Sequence, residues 1–561
     1  MKSTLHLERT EKFSIIFIAM LLCIGTFHEY LACIFSIALI VLLFFNLKKN
    51  KELKVCKNIA SITIFMMTIF YAISPLWAID SGMALMGFVK FLPVPLFMLG
   101  LMQDKKASEE IKQYLPYVAA GMTVISAIGM QIPMLKEFFS VAGRLAGFFQ
   151  YPNTFALVLL VAELLLFYKK EFRKQDYAVL IVLFAGILYS GSRTVFVLAL
   201  LANVAMLYLS ENKKTKKIAI GSIVLVAVIA IVLVVVLGEG TVLERFAAIS
   251  WKESTFVGRL LYFRDALPVI IKNPFGLGYM GYYYIQQSIQ TGVYAVRYVH
   301  NDFLQILLDI GWIPCGLILA AFIKAICSKK TDVNTKIILI VFALHSCFDF
   351  DLQFIAVFCL LLVFLGVDSG KEIVVKRNLT AWRVGFGGLG VVSLYLGLAL
   401  TLYQINQYET SYKLYPGNTQ AATVVLMRTD DLESANSIAE RIIKRNEYVT
   451  LAYSVKARHA YSQGDFGSLI QYKNYIFETA PFAYEEYEEY CYMLLNGIGL
   501  YTKNGDMESA EICKQELIAV REKLNGLDDR LSNLGKQIKD QPQTKLPADI
   551  ESYIEKLEVA N

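Results

Sequence analysis

Charged side chains are scarce in this chain of 561 residues: they make up 18% of it, whereas hydrophobic residues make up 56%. A soluble surface needs more charge than this, so the composition excludes a wholly soluble protein. The sequence also lacks a Walker loop, a His-Glu-x-x-His motif and a Gly-x-Ser-x-Gly motif, which removes support for a nucleotide-driven or hydrolytic enzyme. The chain is therefore a membrane protein with a smaller soluble part.

The sequence also lacks a Cys-x-x-Cys motif, although it contains nine cysteines. Seven of them lie in or beside apolar runs, where a thiol acts as a small hydrophobic group. Cys491 and Cys513 lie outside these runs and could pair or remain free. The net charge of +6 comes largely from loops between apolar runs, so it predicts no nucleic-acid partner.

What the sequence does contain is a series of apolar runs between Phe13 and Tyr403, many of them long enough to cross a bilayer as a helix. They predict an all-α, polytopic membrane fold with about thirteen spanning helices. The predicted spans cover residues 13–27, 30–47, 59–79, 84–102, 114–132, 154–168, 177–190, 194–210, 218–238, 301–327, 336–348, 352–367 and 382–403.

Lysine and arginine collect in every second loop between these spans, as they do where short loops stay in the cytoplasm. This pattern predicts a cytoplasmic N-terminus and an extracytoplasmic C-terminus. The short outer loops hold little positive charge apart from Lys136, Arg144 and Arg193. The basic loops read KKNKELKVCK, QDKKASEEIK, KKEFRK, NKKTKK, SKKTDVNTK and KEIVVKR.

Two long segments fall outside the spanning pattern of the membrane domain, which we assign to residues 1–403. The first is a large outer loop over residues 238–299. The second is the tail, whose helical periodicity predicts an extracytoplasmic α-helical domain over residues 404–530. Residues 531–561 are predicted to form a polar linker with a weak final helix.

A turn signal recurs in the tail as TDDLESA, QGDFGSL and NGDMESA. Its aspartates, Asp431, Asp465 and Asp506, lie 34 and 41 residues apart, which is the period range of helical-hairpin repeats. The aligned pieces loosely resemble tetratricopeptide repeats. We therefore predict a short helical repeat array that binds a partner or substrate, and the alternative is an unrelated helical bundle.

Five arginines are predicted to lie on the outer side of the membrane. Arg144 and Arg193 lie at the outer ends of spans, where an unpaired cation is costly and often functional. Arg259 and Arg264 lie on an amphipathic stretch of the large loop, and Arg297 lies near its end. Guanidinium groups bind phosphate oxygens bidentately and stay charged, so the set predicts a pyrophosphate site. The alternative is that they only reach lipid phosphates at the interface.

One of the five histidines, His300, directly precedes the tenth predicted span. Asn301 or Asp302 is predicted to cap that helix. A helix N-terminus disfavours imidazolium, so a neutral imidazole that can accept a proton is expected there. Such a group suits a general base for a hydroxyl.

His345 is the rival candidate, in the segment HSCFDFDLQ between two late spans. Asp349 and Asp351 follow it closely and form a D-x-D pattern, which some glycosyltransferases use to hold a divalent cation on sugar phosphates. The alternative is that these carboxylates cap helices or pair with an arginine.

Taken together, the motifs between about residues 140 and 350 resemble the O-antigen ligase and O-antigen polymerase superfamily of bacterial membrane glycosyltransferases. The most specific part is His300-Asn301 with Gly311 after nine intervening residues. The supporting pieces are GRLAGFFQYPNTFA, SGSRTVF, and Gly258-Arg259 followed by NPFGLGYMGYY.

The resemblance implies a helical fold of the GT-C type. It also implies transfer of a glycan from a polyprenyl (undecaprenyl) pyrophosphate to an acceptor hydroxyl on the outer face of the bacterial plasma membrane. If the transfer is a single displacement, the anomeric carbon should be inverted. No cofactor or metal is implied. His300 would be the catalytic base or would position the acceptor, Arg259 and Arg193 would bind the pyrophosphate, and Arg144 would support them.

The implied partners are a lipid-linked glycan donor, membrane lipids, and a glycan, lipid or protein acceptor; the repeats add a possible protein partner. A ligase moves a finished glycan and a polymerase joins repeat units, and the sequence does not separate the two. A transporter of lipid-linked oligosaccharides and a membrane-anchored scaffold are the alternatives from other classes. Against transport, the unusual charges cluster at the outer surface rather than at the bilayer midplane.

Overall fold

The structure, a computed structural model, describes residues 9–169, 171–211, 213–237, 254–376 and 379–560. Helices make up 77% of it and strands are short, so the predicted all-α class is confirmed. The first part of the predicted large loop, residues 238–253, lies outside the described residues. The chain divides into two compact units. Unit 1 takes its described residues from Met1–Ser74, Leu85–Ser250 and His300–Gln404, and unit 2 from Pro75–Ala84, Trp251–Val299 and Ile405–Asn561.

Unit 1 is a bundle of apolar helices with two small pairs of strands. Its helices are α1 (Arg9–Leu22), α2 (Glu29–Asn50), α3 (Ile59–Ile73), α4 (Ser81–Phe91, which begins in unit 2), α5 (Pro93–Gln103), α6 (Lys106–Gly129), α7 (Pro133–Phe139), α8 (Pro152–Leu166), α9 (Lys174–Ser190), α10 (Arg193–Leu209), α11 (Lys213–Leu237), α14 (Asp302–Ile310), α15 (Trp312–Cys327), α16 (Val333–Ser346), α17 (Ile355–Leu365) and α18 (Leu379–Gln404). Its strands are β1 (Leu53–Lys57), β2 (Ser140–Val141), β3 (Arg144–Leu145) and β4 (Lys371–Val375).

Two helices form the centre of unit 1. Every residue of α17 is buried, and so is every residue of α8 apart from Asn153. A helix that is apolar on all sides needs neighbours on all sides, and the other helices of unit 1 supply them. This arrangement makes α8 and α17 the fixed supports for the turns at their N-terminal ends.

Helix length bears on the predicted number of spans. Among the described residues, four helices are long and apolar enough to cross a membrane, at Glu29–Asn50, Ile59–Leu76, Ser81–Gln103 and Leu379–Gln404. Several further apolar helices are shorter, and Gly311 divides the predicted span 301–327 into α14 and α15. A helix of 15 residues covers only about 22 Å of a core about 30 Å thick. The count of thirteen therefore stays a prediction.

Three loops that the charge pattern predicts in the cytoplasm contact one another within unit 1. β1 pairs with β4 in antiparallel register, from Leu53 opposite Val375 to Lys57 opposite Lys371. Lys105 of a third basic loop forms an ion pair with Glu372 at 3.3 Å. All three loops are predicted to be cytoplasmic, so these contacts require no segment to cross the membrane.

Unit 2 combines three stretches that the charge pattern predicts on the outer side. Its helices are α12 (Ser254–Lys272), α13 (Gly281–Ile289), α19 (Tyr408–Leu414), α20 (Thr419–Met427), α21 (Leu432–Arg445), α22 (Thr450–Ser462), α23 (Phe466–Thr479), α24 (Tyr484–Asn504), α25 (Met507–Asn525), α26 (Leu527–Arg530) and α27 (Ala548–Ala560).

The recurring aspartates of the tail each begin a helix. The carboxylates of Asp431, Asp465 and Asp506 accept hydrogen bonds from backbone N–H groups three residues later, at 2.9, 3.0 and 3.0 Å. They cap α21, α23 and α25, which explains why the same turn signal returns in the sequence.

The final helix belongs to the main core of the tail. Ile550 and Ile554 of α27 are fully buried in the cluster that α24 and α25 form. The nine cysteines all lie among the described residues and are free thiols, including the buried Cys491 and Cys513.

A buried carboxylate joins the outer turn at 75–84 to the tail. Asp80 accepts hydrogen bonds from the Thr419 hydroxyl at 2.5 Å, the Asn446 amide at 3.1 Å and the backbone N–H of Met83 at 3.0 Å. Only 1% of Asp80 is exposed. A carboxylate with three donors is well satisfied at this depth, so Asp80 fixes the start of α20 to the turn before α4.

Candidate functional site

A two-residue hairpin places Arg144. Ala142 and Gly143 have positive φ values of 51° and 74°, as the tight turn between β2 and β3 requires. Arg144 is the first residue of β3 and is half-buried. The hairpin therefore fixes the backbone from which its guanidinium extends.

The Arg144 guanidinium links two helix ends. Its Nε donates to the carbonyl oxygen of Ser190 at 2.7 Å, and its Nη2 donates to Oδ1 of Asn153 at 2.7 Å. Ser190 ends α9, Gly191 follows with a φ of 60°, and Arg193 begins α10. The two candidate arginines of unit 1 thus belong to adjoining turns.

Asn153 continues the connection to the turn that precedes α17. Its Nδ2 donates to Oδ2 of Asp349 at 2.7 Å, and the Tyr151 hydroxyl donates to Oδ1 of Asp349 at 2.7 Å. Asp349 is 1% exposed, and these donors satisfy its buried carboxylate oxygens. The expected pairing of this carboxylate with an arginine is therefore indirect, because Asn153 lies between Asp349 and Arg144.

The second carboxylate of the D-x-D pattern has a different set of partners. Asp351 accepts a hydrogen bond from the Thr154 hydroxyl at 2.6 Å and pairs with Nδ1 of His345. Both His345 and Asp351 are buried, at 1% and 0% exposed. Within the described part of the chain, no group of three His, Cys, Asp or Glu side chains is arranged to hold a metal ion.

His300 occupies an unusual backbone conformation at the start of α14. Its φ is 56°, in the left-handed region that residues with a Cβ adopt rarely. Its half-buried ring packs edge-to-face on Phe350, with centroids 5.0 Å apart and planes at 87°. Strained conformations of this kind concentrate at functional sites.

Asn301 and Asp302 attach the start of α14 to the same turn. Asn301 is the N-cap: its Oδ1 accepts from the backbone N–H of Leu304 at 3.0 Å, and its Nδ2 donates to the carbonyl of Cys347 at 2.9 Å. Asp302 accepts from the backbone N–H of Leu352 at 3.0 Å. Of the two predicted capping residues, Asn301 is the one that caps.

The turn at 345–354 therefore joins most of the candidate residues of unit 1. His345 and Asp349 belong to it, His300 and Asn301 contact it, and Arg144 reaches it through Asn153. The candidates in unit 1 are Arg144, Arg193, His300, Asn301, His345 and Asp349, and those in unit 2 are Arg259, Arg264 and Arg297.

In unit 2, Arg259 and Arg264 lie on α12 as the sequence predicts. The Arg264 Nη1 donates to the Thr291 hydroxyl at 2.9 Å, and Thr291 in turn donates to Oδ1 of Asp265 at 2.7 Å. Burial raises the pKa of Asp265, although hydrogen bonds from Thr291 act against the shift. The guanidinium of Arg297 lies over the ring of the next residue, 5.6 Å from its centroid.

Sequence analysis passed over several charged residues inside the helices of unit 1. Lys90 is 3% exposed, and its Nζ lies 4.8 Å from the ring centroid of Phe27. Asp309 is 1% exposed and accepts hydrogen bonds from Gln305 and Tyr71. The sequence signal for Lys90 and Asp309 was a single charged residue within an apolar run. Such residues are rare in spanning helices and are often functional.

A comparison with protein families finds a match to part of the chain. Residues 178–320 match the family model described as O-antigen ligase. The chain contains an O-antigen ligase domain. No curated protein matches the chain.

The O-antigen ligase domain begins within α9, ends within α15, and includes His300 and four of the five candidate arginines. It indicates a membrane enzyme of the ligase or polymerase type that transfers glycosyl groups in the assembly of cell-surface polysaccharide. Arg144, His345 and Asp349 lie outside the matched residues and are connected to the domain by the contacts described above.

Proposed function

We propose that this protein transfers a glycan from a polyprenyl pyrophosphate, such as undecaprenyl pyrophosphate, to an acceptor hydroxyl on the outer face of the plasma membrane. The observation that carries the proposal is the O-antigen ligase match, which includes His300, Arg193, Arg259, Arg264 and Arg297. The arginines supply positive charge for a pyrophosphate, and the histidine supplies a base.

In this proposal His300 is the base. A base must lie within hydrogen-bond reach of the acceptor hydroxyl, and the half-buried His300 meets that condition better than His345, which is 1% exposed. Its position just before α14 favours the neutral imidazole. His345 instead has a supporting role, because its bond to Asp351 stabilises the turn that His300 contacts.

The arginines are proposed to hold the pyrophosphate. Arg193 begins α10, and a helix N-terminus adds backbone N–H groups and a favourable dipole for phosphate oxygens. Arg144 supports this turn through its bond to the carbonyl of Ser190. Arg259, Arg264 and Arg297 contribute further guanidinium groups from the large loop.

The proposed reaction is a single displacement. The acceptor hydroxyl gives its proton to a ring nitrogen of His300 as its oxygen bonds to the anomeric carbon. The bond between that carbon and the pyrophosphate oxygen breaks at the same time, and polyprenyl pyrophosphate leaves with the electron pair. Arginines stabilise the charge that builds on the leaving group, so the reaction proceeds without a metal ion and inverts the anomeric carbon.

The same proposal includes a cytoplasmic N-terminus and an extracytoplasmic tail. Two facts support it: β1 and β4 join two loops predicted to be cytoplasmic, and unit 2 consists of stretches predicted to be outside. We assign the tail as a helical, tetratricopeptide-like domain on the basis of its three capped turns.

The test is glycan transfer from a synthetic polyprenyl-pyrophosphate oligosaccharide in reconstituted membranes, with and without a chelator. His300→Asn is the informative variant, because asparagine tolerates a positive φ and is not a base. His459→Asn, in the tail, is the matched control. We expect transfer to survive chelation, to be lost in His300→Asn and to persist in His459→Asn.

Full transfer by His300→Asn would contradict the assignment of the base. A ladder of products that lengthens with time would identify a polymerase, and a single transferred block would identify a ligase. Buried ionisable residues such as Glu163 in α8, which is 0% exposed, give the transporter alternative some support. Movement of the donor across the bilayer without transfer would establish that alternative.

A further inference from the structure

The arginine helix of the large loop, α12, is held by one buried face. Val257, Leu261 and Asp265 are each 5% exposed or less and follow one another at intervals of four residues, so they share a face. Val257 and Leu261 form a small apolar core with Ile538 of the tail. The rotation of α12 about its axis, and with it the direction of its arginines, therefore depends on what covers this face.

Thr291 connects the same face to one of those arginines. Its hydroxyl accepts from Arg264 at 2.9 Å and donates to Asp265 at 2.7 Å, and its backbone N–H donates to Oδ2 of Asp265 at 2.8 Å. Tyr294 adds a hydrogen bond to Oδ2 of Asp265 at 3.0 Å. Asp265 thus fixes residues 291–294 against α12.

The tail in turn holds Thr291. The backbone N–H of Ser532 donates to the carbonyl oxygen of Thr291 at 2.9 Å. Gly535 packs so closely that an added Cβ would lie 2.1 Å from that carbonyl oxygen and 3.1 Å from the Cα of Gly292. A contact this close requires glycine, and it places the chain after α26 directly on the segment that carries Thr291.

We propose that residues 532–538 act as a positioning segment that holds α12 and its arginines in the orientation needed to bind the donor. The proposal rests on the donor-binding role proposed for Arg259 and Arg264, and it assigns the tail a part in that role. Asp265, Thr291 and Ser532 are positioning residues, because they act on the donor only through α12.

Two test substitutions, each with a matched control, distinguish positioning of α12 by the tail from a general loss of stability. Gly535→Ala forces a Cβ against the Thr291 carbonyl, whereas Gly526→Ala adds a Cβ whose nearest neighbour lies at 3.5 Å, an ordinary contact. Thr291→Val removes the hydroxyl that links Arg264 to Asp265 without disturbing the packing of Gly535. Thr291→Ser restores the hydroxyl and serves as the rescue variant.

The experiment uses the full chain in lipid nanodiscs. Amide hydrogen exchange over residues 254–272 measures the order of α12, and binding of a polyprenyl pyrophosphate without glycan measures the donor site. We expect Gly535→Ala to exchange about tenfold faster in α12 and to bind the probe about three- to tenfold more weakly. Thr291→Val should weaken binding similarly, and Gly526→Ala and Thr291→Ser should match the wild type.

Unchanged exchange in Gly535→Ala would overturn the proposal. Faster exchange with unchanged binding in both Gly535→Ala and Thr291→Val would also overturn it, because the tail would then support the fold without positioning the donor site. If the wild type failed to bind the probe, the proposed donor site itself would be wrong. The exchange data would still decide whether the tail orders α12.

Discussion

Replacing Gly311 with alanine should destabilise the protein, because the backbone conformation that joins α14 to α15 requires glycine at this position. Gly311 joins α14 to α15 with a φ of 83° and a ψ of −168°. This region of backbone space is essentially closed to residues with a Cβ. Alanine must therefore either accept the strain or shift α14, which carries Asn301 as its N-cap.

Gly316, five residues away, provides a control for the same substitution at a position with ordinary helical backbone. It lies within α15, and a Cβ added there meets no atom within 4 Å. Gly311→Ala should cost about 1–3 kcal/mol of stability in strain. Gly316→Ala should contribute about 0.5–1 kcal/mol, because alanine loses less conformational freedom in a helix. Both substitutions add one methyl group, but their effects on the free energy of unfolding are expected to have opposite signs.

The assay is thermal unfolding of the purified protein in one detergent at a fixed scan rate, since membrane proteins of this size unfold irreversibly and the apparent midpoint depends on rate. Gly311→Ala should lower the midpoint, and Gly316→Ala should leave it unchanged or raise it. Equal midpoints for the two variants would refute the argument that the conformation of Gly311 requires glycine.

Three further predictions concern polar groups that form hydrogen bonds or ion pairs. Thr154→Val should cost about 1–3 kcal/mol in thermal unfolding, because Asp351 loses a donor, and Thr154→Ser should not. Asp80→Ala should speed amide exchange at the starts of α20 and α4, and unchanged exchange there would contradict its joining role. Although burial acts the other way, the bond between Lys169 and Asp176 lowers the pKa of the carboxyl and raises that of the amine. The pair should thus stabilise the fold from about pH 4 to about pH 10.5 and lose this contribution outside that window. Asp176→Asn should therefore destabilise the protein at pH 7, and the destabilisation should shrink progressively as the pH falls below about 4, as thermal unfolding at several pH values would show.

The helical class and the positions of most helices follow from local patterns. Apolar runs predict helices wherever a bilayer or a core surrounds them, and the capped turns at Asp431, Asp465 and Asp506 have short-range sequence signals. The break at Gly311 was not predicted, because a glycine within an apolar run is compatible with a continuous helix. Its backbone conformation arises from how α14 and α15 pack, which the run itself does not encode.

The side chains around the candidate residues were harder to predict than the residues themselves. Asn153 and Tyr151 were visible only as letters of the GRLAGFFQYPNTFA motif, and nothing local indicated that both would donate to Asp349. They lie 196 and 198 residues from it in sequence. Such bonds follow from the packing of α8 beside α16, the helix that ends shortly before Asp349, so a single sequence contains the donors and the acceptor but not their pairing.

The two histidines illustrate what structure adds to such a pattern. In the sequence His345 is a rival to His300, because it too lies near the end of a predicted span and has carboxylates nearby. Folding separates them: His345 is paired with Asp351 and 1% exposed, whereas His300 is half-buried and held at a φ of 56°. A base that serves a large, lipid-linked donor and an acceptor sugar has to be reached from outside in every cycle, and a buried pair would have to open each time. Glycine would adopt this backbone conformation freely, and the cost of placing a histidine there is understandable if the imidazole itself is needed at this position.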